Sequence, residues 1–358
     1  MKIVLPKTMF MLLLMQFLVL VYAACLGSIN GNIYFSNDTA SIFILFVTAV
    51  MGYLTVREMD DMLRVLKWFY VGIFVISVWR IAAFVGELFG FDIGYWNAQW
   101  YTEILIALGY CINLSVLLFG HKTNWRNTVV LFVFLGGMLI TLHKPMVWAT
   151  VATTIIMLLI ACRITVAKLV LRRFAVIIIL LVLIVSSLNV ASGGKLINQY
   201  TKTISSRYLK VDSFGRRIGD LDKSGGRFLI WKTGLFKVKE RPIFGHGLGI
   251  SSGLDYRWNY EGTAVHNLPL YLWMATGTIG LVVTLLLLRQ WAISAFICLK
   301  INGDNQIAIG LIAYAIFCGT IGLVGTLWVS SAVVYVLGAV MGMSYKIGRL
   351  ANSPAYRK

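Results

Sequence analysis

The chain has 358 residues, of which 59% are hydrophobic and 13% charged, with a formal net charge of +18 and a mean hydropathy of +0.82. Soluble globular domains carry about a quarter charged residues, so this composition excludes the soluble classes and requires lipid as solvent. The apolar runs are near-continuous rather than alternating, and hydrocarbon demands that every backbone polar group be paired within the segment. The expected fold is therefore all-α: a polytopic transmembrane helical bundle of about ten spans with one large loop.

The first span, 8 to 26, follows Lys2 and Lys7 and ends near Ala23-Ala24-Cys25. This pattern imitates a cleavable secretion signal, but the number of apolar runs behind it makes it a first membrane helix. A bilayer core takes roughly 20 apolar residues per helix. That length places further spans at 40 to 56, 66 to 89, 100 to 119, 128 to 142, 145 to 162, 174 to 190, 278 to 298, 306 to 325 and 327 to 345. The five cysteines, Cys25, Cys111, Cys162, Cys298 and Cys318, all fall in apolar stretches with no CxxC pair, which argues against a disulfide framework or zinc site. Neither a metal nor a cofactor is expected.

Short loops assign the sides. One set of connections carries Lys2, Lys7, Arg57, Arg64, Lys67, Lys122, Arg126, Arg163, Lys168, Arg172, Arg173, Lys300 and the basic C-terminal residues, whereas 27 to 39 and 90 to 99 have no lysine or arginine. The positive-inside rule makes the first set cytoplasmic, together with both termini. Residues 191 to 265 then lie outside, with thirteen Lys and Arg against six Asp and Glu, a net of +7. A segment this long is exempt from the rule, and its charge suits membrane lipids or a phosphorylated substrate. The chain thus divides into 1–190 with seven transmembrane helices, 191–265 as a basic external loop with helical segments, and 266–358. That last part holds a re-entrant or short helix, three transmembrane helices and a cytoplasmic tail.

One charge within a span calls for a partner. Arg80 lies well inside its span, where an unpaired charge is costly, and Glu87 and Glu103 are the candidates for an intramembrane ion pair.

There is no Gly-rich nucleotide loop, HExxH or GxSxG, so any energy source must reside in the substrate. The basic loop contains a helix-like stretch opening at Ser224-Gly225-Gly226-Arg227 and running to Lys239, with apolar residues at 228, 231, 235 and 238. Glu240-Arg241-Pro242 ends it. A Gly-rich turn through Gly245, Gly247 and Gly249 follows, with His246 inside it and better suited to shaping the loop than to reacting. A short helix over 266 to 276 then precedes a full span, interrupted by Gly277 and Gly280.

The order Gly225-Gly226-Arg227-x3-Trp231, Pro242-Ile243-x-Gly245-x-Gly247-x-Gly249 and His266-Asn267-x9-Gly277-x2-Gly280 resembles the signature of the O-antigen ligase and polymerase superfamily of bacterial membrane glycosyltransferases. The resemblance covers about residues 224 to 280. It implies transfer of a glycan from an undecaprenyl-diphosphate carrier to an acceptor hydroxyl on the periplasmic face of the inner membrane, inverting and metal-independent. The residue types suit this chemistry. Guanidinium groups bind phosphate oxygens in bidentate fashion, and an imidazole near neutrality accepts a hydroxyl proton during attack.

The resemblance thus implies His266 as general base or acceptor-orienting group, Arg227 as diphosphate binder and Asn267 as its support. Trp231, Gly245, Gly247, Gly249, Gly277 and Gly280 are the structural positions. The family usually carries a second basic residue at the outer end of an earlier helix, commonly an arginine after a serine. The matching stretch here reads Leu142-His143-Lys144-Pro145, so Lys144 takes that role as a compact charge instead of a planar fork, with His143 beside it. Arg216, Arg217 and Arg241 are further cations for the substrate.

The leading expectation is an O-antigen ligase in lipopolysaccharide biosynthesis, with lipid A-core as acceptor and no nucleic-acid partner. The nearest alternative is a polymerase of the same superfamily, whose acceptor is a second glycan. A transporter or lipid flippase is a different class, and the paired half-repeats it would show are not evident.

Overall fold

The computed structural model describes residues 7–32, 35–55, 59–91, 100–120, 124–140, 143–164, 167–204, 227–251, 267–301, 306–324 and 331–351. Among these residues there are twelve helices and no strands. In chain order they are α1 (Lys7–Ile29), α2 (Phe35–Thr55), α3 (Met59–Leu88), α4 (Trp100–Phe119), α5 (Trp125–Leu139), α6 (Lys144–Ile164), α7 (Ala167–Ala191), α8 (Lys195–Ile204), α9 (Arg227–Glu240), α10 (Leu268–Ile301), α11 (Gln306–Val324) and α12 (Ser331–Ala351).

Seven of them are long and apolar enough to cross a membrane, within α1, α3, α4, α6, α7, α10 and α11. Three shorter apolar helices, 38–54, 125–139 and 334–347, occupy the remaining expected spans. The helical bundle is thus as the composition requires. Val176, Ile178, Ile179, Val182 and Leu183 of α7 are all exposed, the surface expected of a helix facing acyl chains.

The chain forms two compact units. The first comprises residues 1–57, 221–297 and 321–358. Its apolar core draws Leu20 and Ala23 from α1, Ile42 from α2, Val238 from α9, Leu248 from the Gly-rich turn and Leu270, Met274 and Ala275 from α10. Lipid offers helices no hydrophobic incentive to associate, so close backbone approach between small residues does the work. A methyl group on Gly52 would meet the Ala339 carbonyl oxygen at 2.5 Å, and one on Gly342 would strike the Ala49 carbonyl, so α2 and α12 nearly touch. Trp291 Nε1 donates to Ser344 Oγ at 2.9 Å and Ser294 Oγ to the Tyr345 carbonyl at 2.8 Å, fastening α10 to α12.

Within α9 the buried positions are Ile230, Gly234 and Val238, while Leu235 and Phe236 are exposed. Of the apolar positions 231, 235 and 238, Val238 is buried and Trp231 half-buried, whereas Leu235 is exposed. Gly234 has only hydrogen at its side-chain position, so Leu270 and Met274 of α10 pack directly on it.

The second unit comprises 58–220 and 298–320. Phe134 of α5 fills a pocket between Tyr70 and Phe74 of α3 and lies against Gly109 of α4, where a methyl group would come within 2.5 Å of its ring. Several polar groups inside are paired. Asn113 Nδ2 donates to Tyr70 Oη at 2.7 Å, and Arg173 Nη1 caps the end of α4 by donating to the carbonyls of Leu117 at 3.0 Å and Gly120 at 2.7 Å. The short amphipathic α8 presses Leu196 into a cluster with Phe84, Leu88 and Ile140, and Lys195 Nζ donates to the Leu88 carbonyl at 3.2 Å.

Candidate functional site

The Gly-rich turn and the interruption in α10 are one structure. Gly277 has φ 66° and ψ −172° inside the helix, which breaks the backbone ladder there. A broken membrane helix is tolerated where neighbours satisfy the freed groups, and residues 242–249 do this. His246 N–H donates to the Met274 carbonyl at 2.8 Å and Gly247 N–H to the Ala275 carbonyl at 2.9 Å, while Thr278 N–H donates to the Pro242 carbonyl at 2.8 Å. Ile279 N–H reaches the Ile243 carbonyl at 3.4 Å, and Thr278 Oγ1 also donates to the Pro242 carbonyl at 2.8 Å. The four backbone bonds take over for the helix bonds lost at the break. The expected helix interruption is thus present at Gly277, whereas Gly280, also expected to interrupt, stays within the helix.

The other edge of the turn abuts α1. Leu248 N–H donates to the Ala23 carbonyl at 2.8 Å, and a methyl group on Gly247, at φ 92°, would strike the backbone of Gly27. Two asparagines just past α1 clamp the turn's carbonyls. Asn30 Nδ2 donates to the His246 carbonyl at 2.8 Å, and Asn32 Nδ2 to the Leu248 carbonyl at 2.9 Å, with His246 and Gly247 carbonyls at 3.2 and 3.3 Å. Asn32→Ala is expected to lower stability by about 1–2 kcal/mol through the acceptors it abandons, read as a lower thermal midpoint of the detergent-purified protein.

His246 is buried within this turn. Its Nε2 hydrogen-bonds the Lys237 carbonyl at 2.8 Å, joining the turn to α9, and Glu240 Oε2 lies 3.8 Å away. It shapes the loop, as the sequence suggests. Tyr271 Oη accepts from Gly249 N–H at 2.9 Å and is hydrogen-bonded to Asp38, in the first turn of α2.

Asn267 opens α10. Its Oδ1 accepts from Leu270 N–H at 2.9 Å, an N-cap that satisfies an orphan donor of the helix start. Its Nδ2 donates to the Leu323 carbonyl at 3.1 Å, so the residue also ties α10 to the end of α11. Asn267→Asp keeps the cap and loses the tie, whereas Asn267→Ala loses both and is expected to cost about 1–2 kcal/mol. Thermal midpoints should therefore fall in the order wild type, Asn267→Asp, Asn267→Ala.

The second unit holds a charged triad. Arg80 Nη2 donates to Glu103 Oε1 at 2.9 Å, with side chains only 4% and 0% exposed. Glu103 Oε2 meets His143 Nδ1 at 2.9 Å. Of the two partners expected for Arg80, the structure selects Glu103 and leaves Glu87 exposed. Arg80 Nη1 is buried without a hydrogen-bond partner among the described residues, as is Trp231 Nε1.

Arg227 is the first residue of α9 and Lys144 the first of α6. Arg241 is exposed just beyond α9, and His266, Arg216 and Arg217 fall outside the described residues. Trp231 is half-buried on α9 and packs against the first unit's core. Gly245 and Gly249 join Gly247 and Gly277 at positive φ, and a methyl group on Gly280 would come within 2.8 Å of Val19 of α1. Sequence reasoning missed Asn30, Asn32, Asp38 and Tyr271. Asn30, Asn32 and Asp38 have partners more than 200 residues away in the chain, and no local pattern marks any of the four.

The sequence profile of the O-antigen ligase family matches residues 129–285, a stretch that includes His143, Lys144, the inserted segment 242–249 and the break at Gly277. No curated protein matches the chain. With its apolar helices the chain is a multi-pass membrane protein, and its residues 129–285, less than half of its length, are similar to the O-antigen ligase family.

Proposed function

We propose that this protein is a ligase that moves a polysaccharide from undecaprenyl diphosphate to lipid A-core on the periplasmic face of the bacterial inner membrane, with inversion and without a metal. The observation that carries the reading is the insertion of residues 242–249 into the break at Gly277, inside the stretch matched by the family. This device fixes α9, which begins at Arg227, against α10, whose cap Asn267 directly follows His266.

In this reading His266 accepts the acceptor hydroxyl's proton, or orients that hydroxyl, as the oxygen attacks the anomeric carbon. The bond from that carbon to the carrier's phosphate oxygen breaks, and the departing diphosphate keeps the electron pair. Arg227 and Lys144 neutralise the negative charge that develops there, so the leaving group needs no protonation. Arg216, Arg217 and Arg241 add positive charge for the phosphorylated substrates.

The test is reconstitution of the purified protein with a carrier-linked glycan and lipid A-core, without nucleotide or ion gradient. Formation of glycan-bearing lipid A-core supports the ligase. Extension of the carrier-linked chain by further repeats instead would identify a polymerase, and movement of unmodified carrier across the vesicle would identify a transporter.

A further inference from the structure

Helix α9 has an apolar side that the fold leaves uncovered. Ile230, Gly234 and Val238 form its buried side, and Gly234 packs on Leu270 and Met274. At about 100° per residue, Lys232, Leu235, Phe236 and Lys239 fall on the opposite side, and all four are exposed. A helix on the surface of a water-soluble domain turns polar groups outward. This one turns out an apolar pair set between two lysines. Just past the helix, Ile243 and Phe244 are 55% and 56% exposed, so four large apolar side chains stand uncovered between positions 235 and 244.

Their depth is fixed by α1. The rings of Phe244 and Tyr22 lie 6.0 Å apart between centroids, and Leu248 N–H donates to the Ala23 carbonyl. Tyr22 is about 10 Å, at 1.5 Å per residue, from the end of this membrane-length helix at Ile29. Ile279 N–H of α10 reaches the Ile243 carbonyl, and Ile279 is exposed, as are Leu18 and Tyr22 of α1. The uncovered surface of segment 242–249 is therefore continuous with the flanks that α1 and α10 present to acyl chains. Cations border it. Lys239 Nζ sits 5.6 Å from the Phe236 ring centroid, Lys232 and Arg241 are exposed, and Lys237 is neutralised by Glu240 at 3.0 Å.

We propose that α9 and the segment after it are seated in the membrane surface at the Ile29 end of α1, with Leu235, Phe236, Ile243 and Phe244 among acyl chains and Lys232, Lys239 and Arg241 on the phosphates of anionic phospholipids. Continuity with two membrane-length helices selects lipid over a protein partner, and the three cations select an anionic headgroup. Interfacial helices bury their apolar face by about 5–10 Å, the depth at which Phe244 meets Tyr22. Lysine stems cover the remaining distance to the headgroups. The assignment is independent of the reaction proposed above.

The experiment places the photoreactive residue p-benzoylphenylalanine at Phe236 or Phe244 of the full-length protein, in nanodiscs of equal phosphatidylglycerol and phosphatidylcholine, and identifies adducts by mass spectrometry. Leu18→p-benzoylphenylalanine, on the exposed flank of α1, calibrates capture by acyl chains. Both probes are expected to give lipid adducts at a yield comparable with that of the Leu18 probe, enriched in phosphatidylglycerol. With the Phe236 probe, Lys232→Gln and Lys239→Gln should each lower the ratio of phosphatidylglycerol to phosphatidylcholine adducts about fivefold, the effect of one cation near an anionic surface. The substituted side chains are all exposed, so the thermal midpoint of each variant should match the wild type. Absence of lipid adducts at either position, or a cross-linked dimer of the chain in their place, would overturn the proposal. Equal capture of the two lipids, or a ratio unmoved when both lysines are replaced, would overturn it as well.

Discussion

Gly277→Ala should unfold or severely destabilise the protein, with a loss of about 3 kcal/mol or more from backbone strain and unmet hydrogen bonds together. Two costs add. The dihedrals of Gly277, φ 66° and ψ −172°, lie in a region open essentially to glycine alone. The new methyl group would also press on the Ile243 carbonyl and approach Phe244 N to 2.6 Å. Relief requires moving the segment that supplies the bonds to Met274, Ala275, Thr278 and Ile279. Gly72→Ala is the control. That glycine sits in α3 with nothing within 4 Å of an added methyl group, so alanine there should be neutral or stabilising. Thermal unfolding in detergent compares the two, and equal midpoints would refute this account of the break.

The second large effect concerns catalysis. His266→Ala is expected to lower glycan transfer by about a hundred- to ten-thousand-fold, the range of a lost general base. Arg227→Ala should lower it by a comparable factor through lost stabilisation of the departing diphosphate. In a deletion strain both variants should fail to restore surface glycan while reaching wild-type level and inserting normally. Full complementation by both would refute the role assignment. His246→Ala makes a useful contrast. His246 binds the Lys237 carbonyl from a buried position, so its loss should show first as lower stability.

Much of this architecture is legible in the residues because membrane spans obey length. A run of about 20 apolar residues can only be a helix in lipid, so each expected span has its apolar helix. Gly277 and the glycines of 245–249 were legible for the same reason, since side chains at those dihedrals are strained. What escaped was pairing. Arg80 needed a carboxylate, and sequence offered Glu87, on its own helix, or Glu103 on the next. Helix α3 turns Glu87 outward, while Glu103 faces inward from α4, and only tertiary packing decides that. The close contact of α9 with α10 is made by a glycine, Gly234, which no apolar pattern marks.

The resemblance named Arg227, Lys144 and His266. The structure gives the helix start that each of the first two occupies and the capping residue beside the third.

The strap of residues 242–249 also has a mechanical consequence. It is knitted to α9 through His246 and Lys237, to α10 on both sides of the break and to α1 through Leu248, while α9 rests on α10 at Gly234. Neither helix has a free pivot. Over roughly 20 Å of α9, at 1.5 Å per residue, Arg227 is carried like the tip of a welded bracket, so a displacement of α9 carries the first turns of α10 with it.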